Sequence, residues 1–246
     1  MLVSSIIWAQ SQNKTNTVYP NQKLDEANKQ ALKNPSQAFD LATEALELSF
    51  ETKNKKAEAS AYNTLGTLYY NTGDYSQAVN YFTKAKTIYE KVTDTKNEEY
   101  ALKYLAMSYE ALNQTDKSIS YYSRAEQKTT SPKDKADYKL ANSKVKKSQG
   151  KNKEAIADLE QELYTNKSIS PKQKIDIYLE LGDLYLATNE KEKGIQTINK
   201  AIEESQKTKT TSADTLSIST LNYAWTIYDK NGLTSENIVT QQRAYT

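Results

Sequence analysis

The chain has 246 residues, and its 33 basic and 31 acidic side chains leave a net charge of +2, which argues against a dedicated nucleic-acid binder. It contains no Cys and no His, which removes thiol and Ser-His nucleophiles, disulfides and nearly all zinc, haem and iron–sulfur sites. Hydrophobic residues make up only 37%, low for a compact globule but enough for stacked elements that each bury a narrow stripe.

The first residues, MLVSSIIWAQSQ, carry an apolar run from Leu2 to Ala9. It is too short to cross a bilayer but suits the core of a signal peptide cleaved near Ala9. No basic residues precede the run, so this reading expects a natural start upstream of Met1. The lack of cysteine fits export to an oxidising compartment such as the periplasm. Ser11 to Asn21, rich in Ser, Thr, Asn and Gln, reads as a linker. Residues 1–21 are then leader and linker, and 22–246 the folded part. The alternative is an uncleaved cytoplasmic chain.

From residue 22 the pattern is helical. Asn34-Pro35, Ser131-Pro132 and Ser170-Pro171 each set a proline just after a capping residue, where its missing N–H is harmless. Gln37 and Gln173 stand where a capping box takes Gln or Glu. Apolar residues fall at helical spacing, three and four apart in Tyr62, Leu65 and Tyr69, and three and six apart in Val79, Phe82 and Ile88. No stretch alternates as a strand does, so the fold class is all-α.

The helical pattern repeats. Ala45, Ala85 and Ala125 stand 40 residues apart, and the slot recurs more weakly at Glu162, Ala201 and Ala244. Seven residues before each stands Ala38, Ala78, Ser118, Ala155, Gly194 or Asn237. Ahead of these come Leu65-Gly66, Leu105-Ala106, Leu181-Gly182 and Ala224-Trp225, followed three residues on by Tyr69, Tyr109, Tyr185 and Tyr228. Each period reads as helix, tight turn, helix. Gly66 is expected where the two helices cross, opposite Ala78 and Ala85. Gly73 is expected in a left-handed cap, with Asp74 and Gln77 capping the next helix.

These residues resemble the tetratricopeptide repeat (TPR) family. The best match runs Tyr62, Leu65, Gly66, Tyr69, Gly73, Tyr75, Ala78, Phe82 and Ala85. The repeat at Tyr178 to Ala201 matches well, and that at Leu105 to Ala125 is recognisable. The repeat around Leu140 to Leu159 is degenerate, with Lys146 in the tyrosine slot. The resemblance implies an α-solenoid of about six helix–turn–helix repeats forming a right-handed superhelix, with the first helix of each pair lining a concave groove. Its period departs from the family's usual length of roughly 34. The groove residues it implies are Asn63, Thr67, Tyr70 and Asn71, then Lys103, Met107 and Glu110, then Lys144 and Lys147. Asp183 and Leu186 follow, and after them Asn222 and Thr226. Asn63 and Thr67 occupy two positions where the family's chaperone-tail clamp has Lys and Asn, so that clamp is not reproduced.

Motifs of catalysis are missing. No glycine opens a phosphate-binding loop, there is no G-x-S-x-G and no D-x-D-x-D-G calcium loop. Paired carboxylates such as Glu98-Glu99 and Glu203-Glu204 sit beside lysines and read as solvated helix faces. Eight lysines between Lys133 and Lys153 face only Asp134 and Asp137, a local +6 that also reads as a solvated face, because Tyr138 alone interleaves and no series of aromatics is there to stack bases. The expected function is a non-enzymatic scaffold that binds protein or peptide in the groove, with no cofactor, metal or nucleic acid. Exported repeats of this irregular length resemble the input regions of bacterial TPR-containing sensor kinases. A membrane helix and kinase are expected downstream of Thr246. The alternatives are a freestanding periplasmic scaffold and a cytoplasmic regulator docking on a transcription factor or kinase.

Overall fold

A computed structural model describes residues 19–207 and 213–233, and every regular element among them is a helix. The helices form an all-helical repeat solenoid, divided by its contacts into an N-terminal unit ending at Lys128 and a C-terminal unit from Thr129. Residues 1–18, which hold the expected leader and most of the linker after it, and the slots Asn237 and Ala244 lie outside the described residues.

The N-terminal unit holds α1 (residues 19–30), α2 (Pro35–Glu51), α3 (Lys55–Asn71), α4 (Tyr75–Lys91), α5 (Thr95–Ala111) and α6 (Thr115–Lys128). Residues 19–21, expected in the linker, are helical, and Pro20 is compatible with a first helical turn. Helices α2 to α5 are each 17 residues long and joined by three-residue turns. Two such helices and two turns make the 40-residue period. The extra length over a 34-residue repeat therefore lies in the helices, each close to one turn longer.

The turns share one design. After α3, the amide of Gly73 donates to the Tyr70 carbonyl and that of Asp74 to the Tyr69 carbonyl, at 3.1 and 2.9 Å. This is a Schellman cap, and it needs a left-handed residue, which Gly73 supplies at φ +83°. Asp74 then serves the next helix, its carboxylate accepting from the Gln77 amide at 3.0 Å. Asn54 and Asp94 cap α3 and α5 in the same way. The left-handed position recurs at Lys53, Thr93 and Asn113, where a side chain bears the strain.

Packing between paired helices follows the small-residue slots. A Cβ on Gly66 would lie 3.0 Å from the Phe82 ring, so the glycine makes room for a buried aromatic rather than for Ala78 and Ala85 as expected. Tyr69 stacks on Tyr81 with centroids 5.3 Å apart, and Tyr109 on Tyr121 at 5.4 Å. Each pair is a tyrosine and a residue twelve positions later, across the turn. Full burial of a ring such as Phe82 contributes roughly 1.5–3 kcal/mol.

The C-terminal unit holds α7 (Pro132–Ser148), α8 (Asn152–Thr165), α9 (Pro171–Ala187), α10 (Lys191–Lys207) and α11 (Ala213–Lys230). The degenerate repeat is an ordinary helix pair, α7 and α8, joined through Gly150 at φ +73°. Lys146 replaces the slot tyrosine, and its ammonium meets Asp158, again twelve residues on, at 2.6 Å. An ion pair thus spans the turn that a ring stack spans elsewhere. In the next pair α9 and α10 approach through two glycines: a Cβ on Gly182 would lie 2.4 Å from Ile198 Cγ1, and one on Gly194 2.8 Å from Leu186. Leu186, expected to face the groove, packs inward here.

Candidate functional site

In the N-terminal unit the first helices of three successive pairs, α1, α3 and α5, line an open cleft of about 330 Å3. Helix α3 contributes Ser60, Asn63, Thr64 and Thr67. Asn28 reaches in from α1, Asn97 and Tyr100 from α5, and Tyr89 from the end of α4. Tyr89 is 1% exposed, and burial pushes its phenol up to about 12. Ser60 Oγ lies 3.2 Å from the Tyr89 hydroxyl, and Asn63 Nδ2 donates to it at 3.5 Å. Asn63 is 8% exposed, and its Oδ1 is buried without a hydrogen-bond partner. Thr67 donates to the Asn63 backbone carbonyl at 2.9 Å and touches the Tyr100 hydroxyl at 3.1 Å. The walls are polar but carry no group that is charged at neutral pH.

In the C-terminal unit α7, α9 and α11, again first helices, line a cleft of about 310 Å3. Leu140, Leu179 and Leu216 supply apolar wall, Lys144, Lys172 and Asp176 the charge, and Tyr223 a half-exposed ring. Burial raises the Asp176 carboxyl above the usual range, against the pull of Lys172 and Lys144. Glu180, also in the wall, is 2% exposed and bonded by Lys147 at 2.6 Å. The same ammonium holds Asp183 at 2.9 Å, and Lys230 approaches Asp183 at 3.2 Å. Burial disfavours charge on Lys147, but Glu180 and Asp183 outweigh it and hold the ammonium above its ordinary range.

The residues expected to face a groove divide into three groups. Asn63 and Thr67 meet in the N-terminal cleft, and Lys144 lines the C-terminal one. Lys147 and Asp183, 36 positions apart, lie against each other in an ion network. The rest stand apart from the clefts. Tyr70 is half-buried, its ring edge-on to Tyr75 and Tyr104 at 5.4 and 5.5 Å. Asn71 and Lys103 are exposed, and Met107 is half-buried. Glu110 accepts from the buried Tyr122 hydroxyl at 3.2 Å. Asn222 and Thr226 are exposed on α11, Thr226 Oγ1 donating to the Asn222 carbonyl at 2.8 Å.

On α3 the expected Asn63 and Thr67 line the cleft beside Ser60 and Thr64, whereas on α5 the lining residues are Asn97 and Tyr100, about one turn before the expected Lys103, Met107 and Glu110. The lysine run is also not simply solvated: Lys139, Lys146 and Lys147 pair with Glu162, Asp158 and Glu180 of α8 and α9.

Among the described residues no group of His, Cys, Asp and Glu is arranged to hold a metal ion, and no helix is long and apolar enough to cross a membrane. No curated protein matches the chain by sequence. Solved structures of similar fold include nearly identical TPR-like repeats assigned to a kinesin light chain of Podosopora anserina. There the identity is 15%, 78% of this chain and 97% of that chain are covered, and the TM-score is 0.66. Aspartyl phosphate phosphatase F from Bacillus subtilis is 12% identical, over 97% of this chain and 72% of that one, with a TM-score of 0.67. PilF of Pseudomonas aeruginosa is 15% identical, over 93% and 99%, with a TM-score of 0.60. At these identities the likeness is one of fold. Two models described as tetratricopeptide repeat match the sequence, one at residues 27–91 and 58–128, the other at 175–208. With matches over more than half its length, and helix pairs that continue through the unmatched α7 and α8, the chain belongs to the tetratricopeptide repeat family.

Proposed function

We propose that this chain is a non-catalytic scaffold that holds protein or peptide segments against the first-helix faces of its repeats. One observation carries the reading. In each unit, three successive first helices leave an open cleft of about 310–330 Å3, near the lower end for a ligand site and large enough for a short peptide segment. The fold itself is one that generally binds proteins or peptides. We further propose that it acts in the periplasm as the input region of a signal-transduction protein. The support here is sequence alone: the apolar run Leu2 to Ala9, the lack of cysteine, and the resemblance to the repeat regions of sensor kinases.

Photo-crosslinking in cells tests the binding face. A crosslinking side chain at Lys103 or Lys144, on first helices, is expected to trap a second polypeptide, while one at Lys84 or Lys200, on second helices, is not. Trapping from the second helices alone contradicts the reading. A phosphatase fused after the chain reports on export: activity in the periplasm supports that part, and an inactive, uncleaved fusion contradicts it.

A further inference from the structure

We propose that α7 and α8 are an opening element of the C-terminal unit, a helix pair that undocks as one body while α9, α10 and α11 stay folded.

Slots that are apolar or small in the neighbouring repeats are polar in this pair. Lys139 stands where Tyr62, Leu102 and Tyr178 stand, and Asn142-Ser143 where the others have Leu65-Gly66, Leu105-Ala106 and Leu181-Gly182. Lys146 takes the tyrosine slot, and Glu162 the slot of Ala85, Ala125 and Ala201. Asn142, Ser143 and Glu162 are nonetheless buried. The buried apolar residues of α7 are Ala136, Tyr138 and Val145, with Leu140 half-buried against α8 and α9. Helix α9, by contrast, buries Ile175, Ile177, Leu179, Leu181, Leu184 and Tyr185.

Ion pairs and hydrogen bonds make much of the docking instead. Lys139 reaches Glu162 at 3.6 Å, and Lys146 reaches Asp158 at 2.6 Å and Glu154 at 3.6 Å, all on α8. Lys147 reaches Glu180 and Asp183 of α9, and Gln173 of α9 donates to the Lys133 carbonyl and to Asp137. Such pairs fix a geometry but add little net stability, because each buried ion gives up its hydration, whereas a buried ring or leucine gains by leaving water. The helix starts differ in the same direction. Helix α8 has 14 residues against 17 for α9 and α10, and its N-cap, Lys151, makes no side-chain cap. Helix α9 opens on a complete capping box of Ser170 and Gln173. A segment with few apolar contacts, buried charge and a weak helix start opens well below the free energy of global unfolding.

Opening has a consequence for the C-terminal cleft. Helix α7 carries Leu140 and Lys144 into its wall, so the cleft is complete only while α7 is docked. A ligand seated against α7 then draws the pair closed, by mass action on the docked state. That consequence rests on the reading that the first-helix faces bind; the opening itself does not.

Native-state hydrogen exchange of the whole chain, read by mass spectrometry at low urea, is the test. Amides of α7 and α8 are expected to exchange together, with protection about a hundredfold below that of α9 and α10. Two double variants restore the neighbours' slots. Lys146→Tyr with Asp158→Tyr replaces an ion pair by a ring pair like that of Tyr69 on Tyr81, and Lys139→Leu with Glu162→Ala copies Leu102 and Ala125. Each is expected to raise protection in α7 and α8 about tenfold, with α9 and α10 little changed. Lys139→Leu alone, which leaves Glu162 buried without its cation, is expected to lower it. Protection of α7 and α8 equal to that of α9 and α10 overturns the proposal, as does protection that neither double variant raises. Either result leaves the binding reading standing, since crosslinking from Lys103 tests that without reference to α7.

Discussion

Replacing Gly182 by alanine tests the claim that close helix approach, not flexibility, keeps glycine in this slot. The added Cβ would sit 2.4 Å from Ile198 Cγ1 and 3.2 Å from the backbone oxygen of Gly194. Carbon atoms in contact stand about 3.5–4.0 Å apart, so something must move by more than about 1 Å. Ile198 is fully buried and, as a β-branched residue in a helix, has essentially one χ1 rotamer. The backbone oxygen moves only with α10. Overpacking of this kind costs about 1–3 kcal/mol, and alanine returns about 1 kcal/mol of helix propensity. An overlap this deep places the cost in the upper half of that range, about 2–3 kcal/mol, so the net expectation is a loss of about 1–2 kcal/mol. Gly66→Ala is the internal comparison. Its Cβ would meet the flat face of Phe82 at 3.0 Å, which a small ring tilt relieves, so gain and loss nearly cancel. Ile198→Ala removes the clashing atom, and combining it with Gly182→Ala is expected to cost no more than Ile198→Ala alone. Urea unfolding followed by circular dichroism measures the loss. Native-state hydrogen exchange in α9 and α10 localises it, because repeat arrays need not unfold in two states. Gly182→Ala as stable as the parent would refute the reasoning.

Further expectations follow from the turns, the ion network and the buried tyrosines. Gly73→Ala meets no atom within 4 Å yet is strained at φ +83°, so it is expected to cost about 1–2 kcal/mol, whereas Thr93→Gly, at φ 53°, is expected to stabilise by up to about 1 kcal/mol; opposite shifts of Tm check the pair. Lys147→Met strands the buried Glu180 carboxylate and is expected to cost about 3–5 kcal/mol in urea unfolding, much of it recovered by adding Glu180→Gln. Burial raises the phenols of Tyr89, Tyr104 and Tyr122, Tyr89 to about 12. A raised folded value gives stability that is complete below about pH 10, where unfolded tyrosine titrates, and lost as pH rises toward the folded value. Tyr89 alone accounts for about 3 kcal/mol of the complete loss and about half of that by pH 11, and unfolding at about pH 9 and 11, with Tyr89→Phe as control, measures that half.

The turns were legible because a turn is local. Gly73 and Asp74 carry left-handed geometry and a cap within two adjacent residues, and the structure uses both as expected. Prolines 35, 132 and 171 marked helix starts for the same reason. Gly66 was legible as a crossing point, but spacing does not show which way a ring lies, and Phe82 rather than the alanines fills the contact. Lys146 read as decay of the motif until Asp158 appeared opposite it, since an ion pair and a ring stack leave different letters at the same two positions. The clefts were the least legible part. Each is walled by three helices separated by about forty residues, and sequence periodicity on one helix does not show how far its neighbour's tyrosines close the face. Asn63 and Thr67 lie on α3 itself, whereas Tyr100 comes from α5, packed on Tyr104, and meets Thr67 across the cleft at 3.1 Å.

The most direct measurement of the central claim is to select binding peptides from a random library against the whole chain and map the strongest by NMR. The account predicts that shifts centre on first helices, at Asn63, Thr67 and Tyr100 or at Lys144 and Tyr223. Shifts centred on the second helices, α4, α6, α8 and α10, would contradict it.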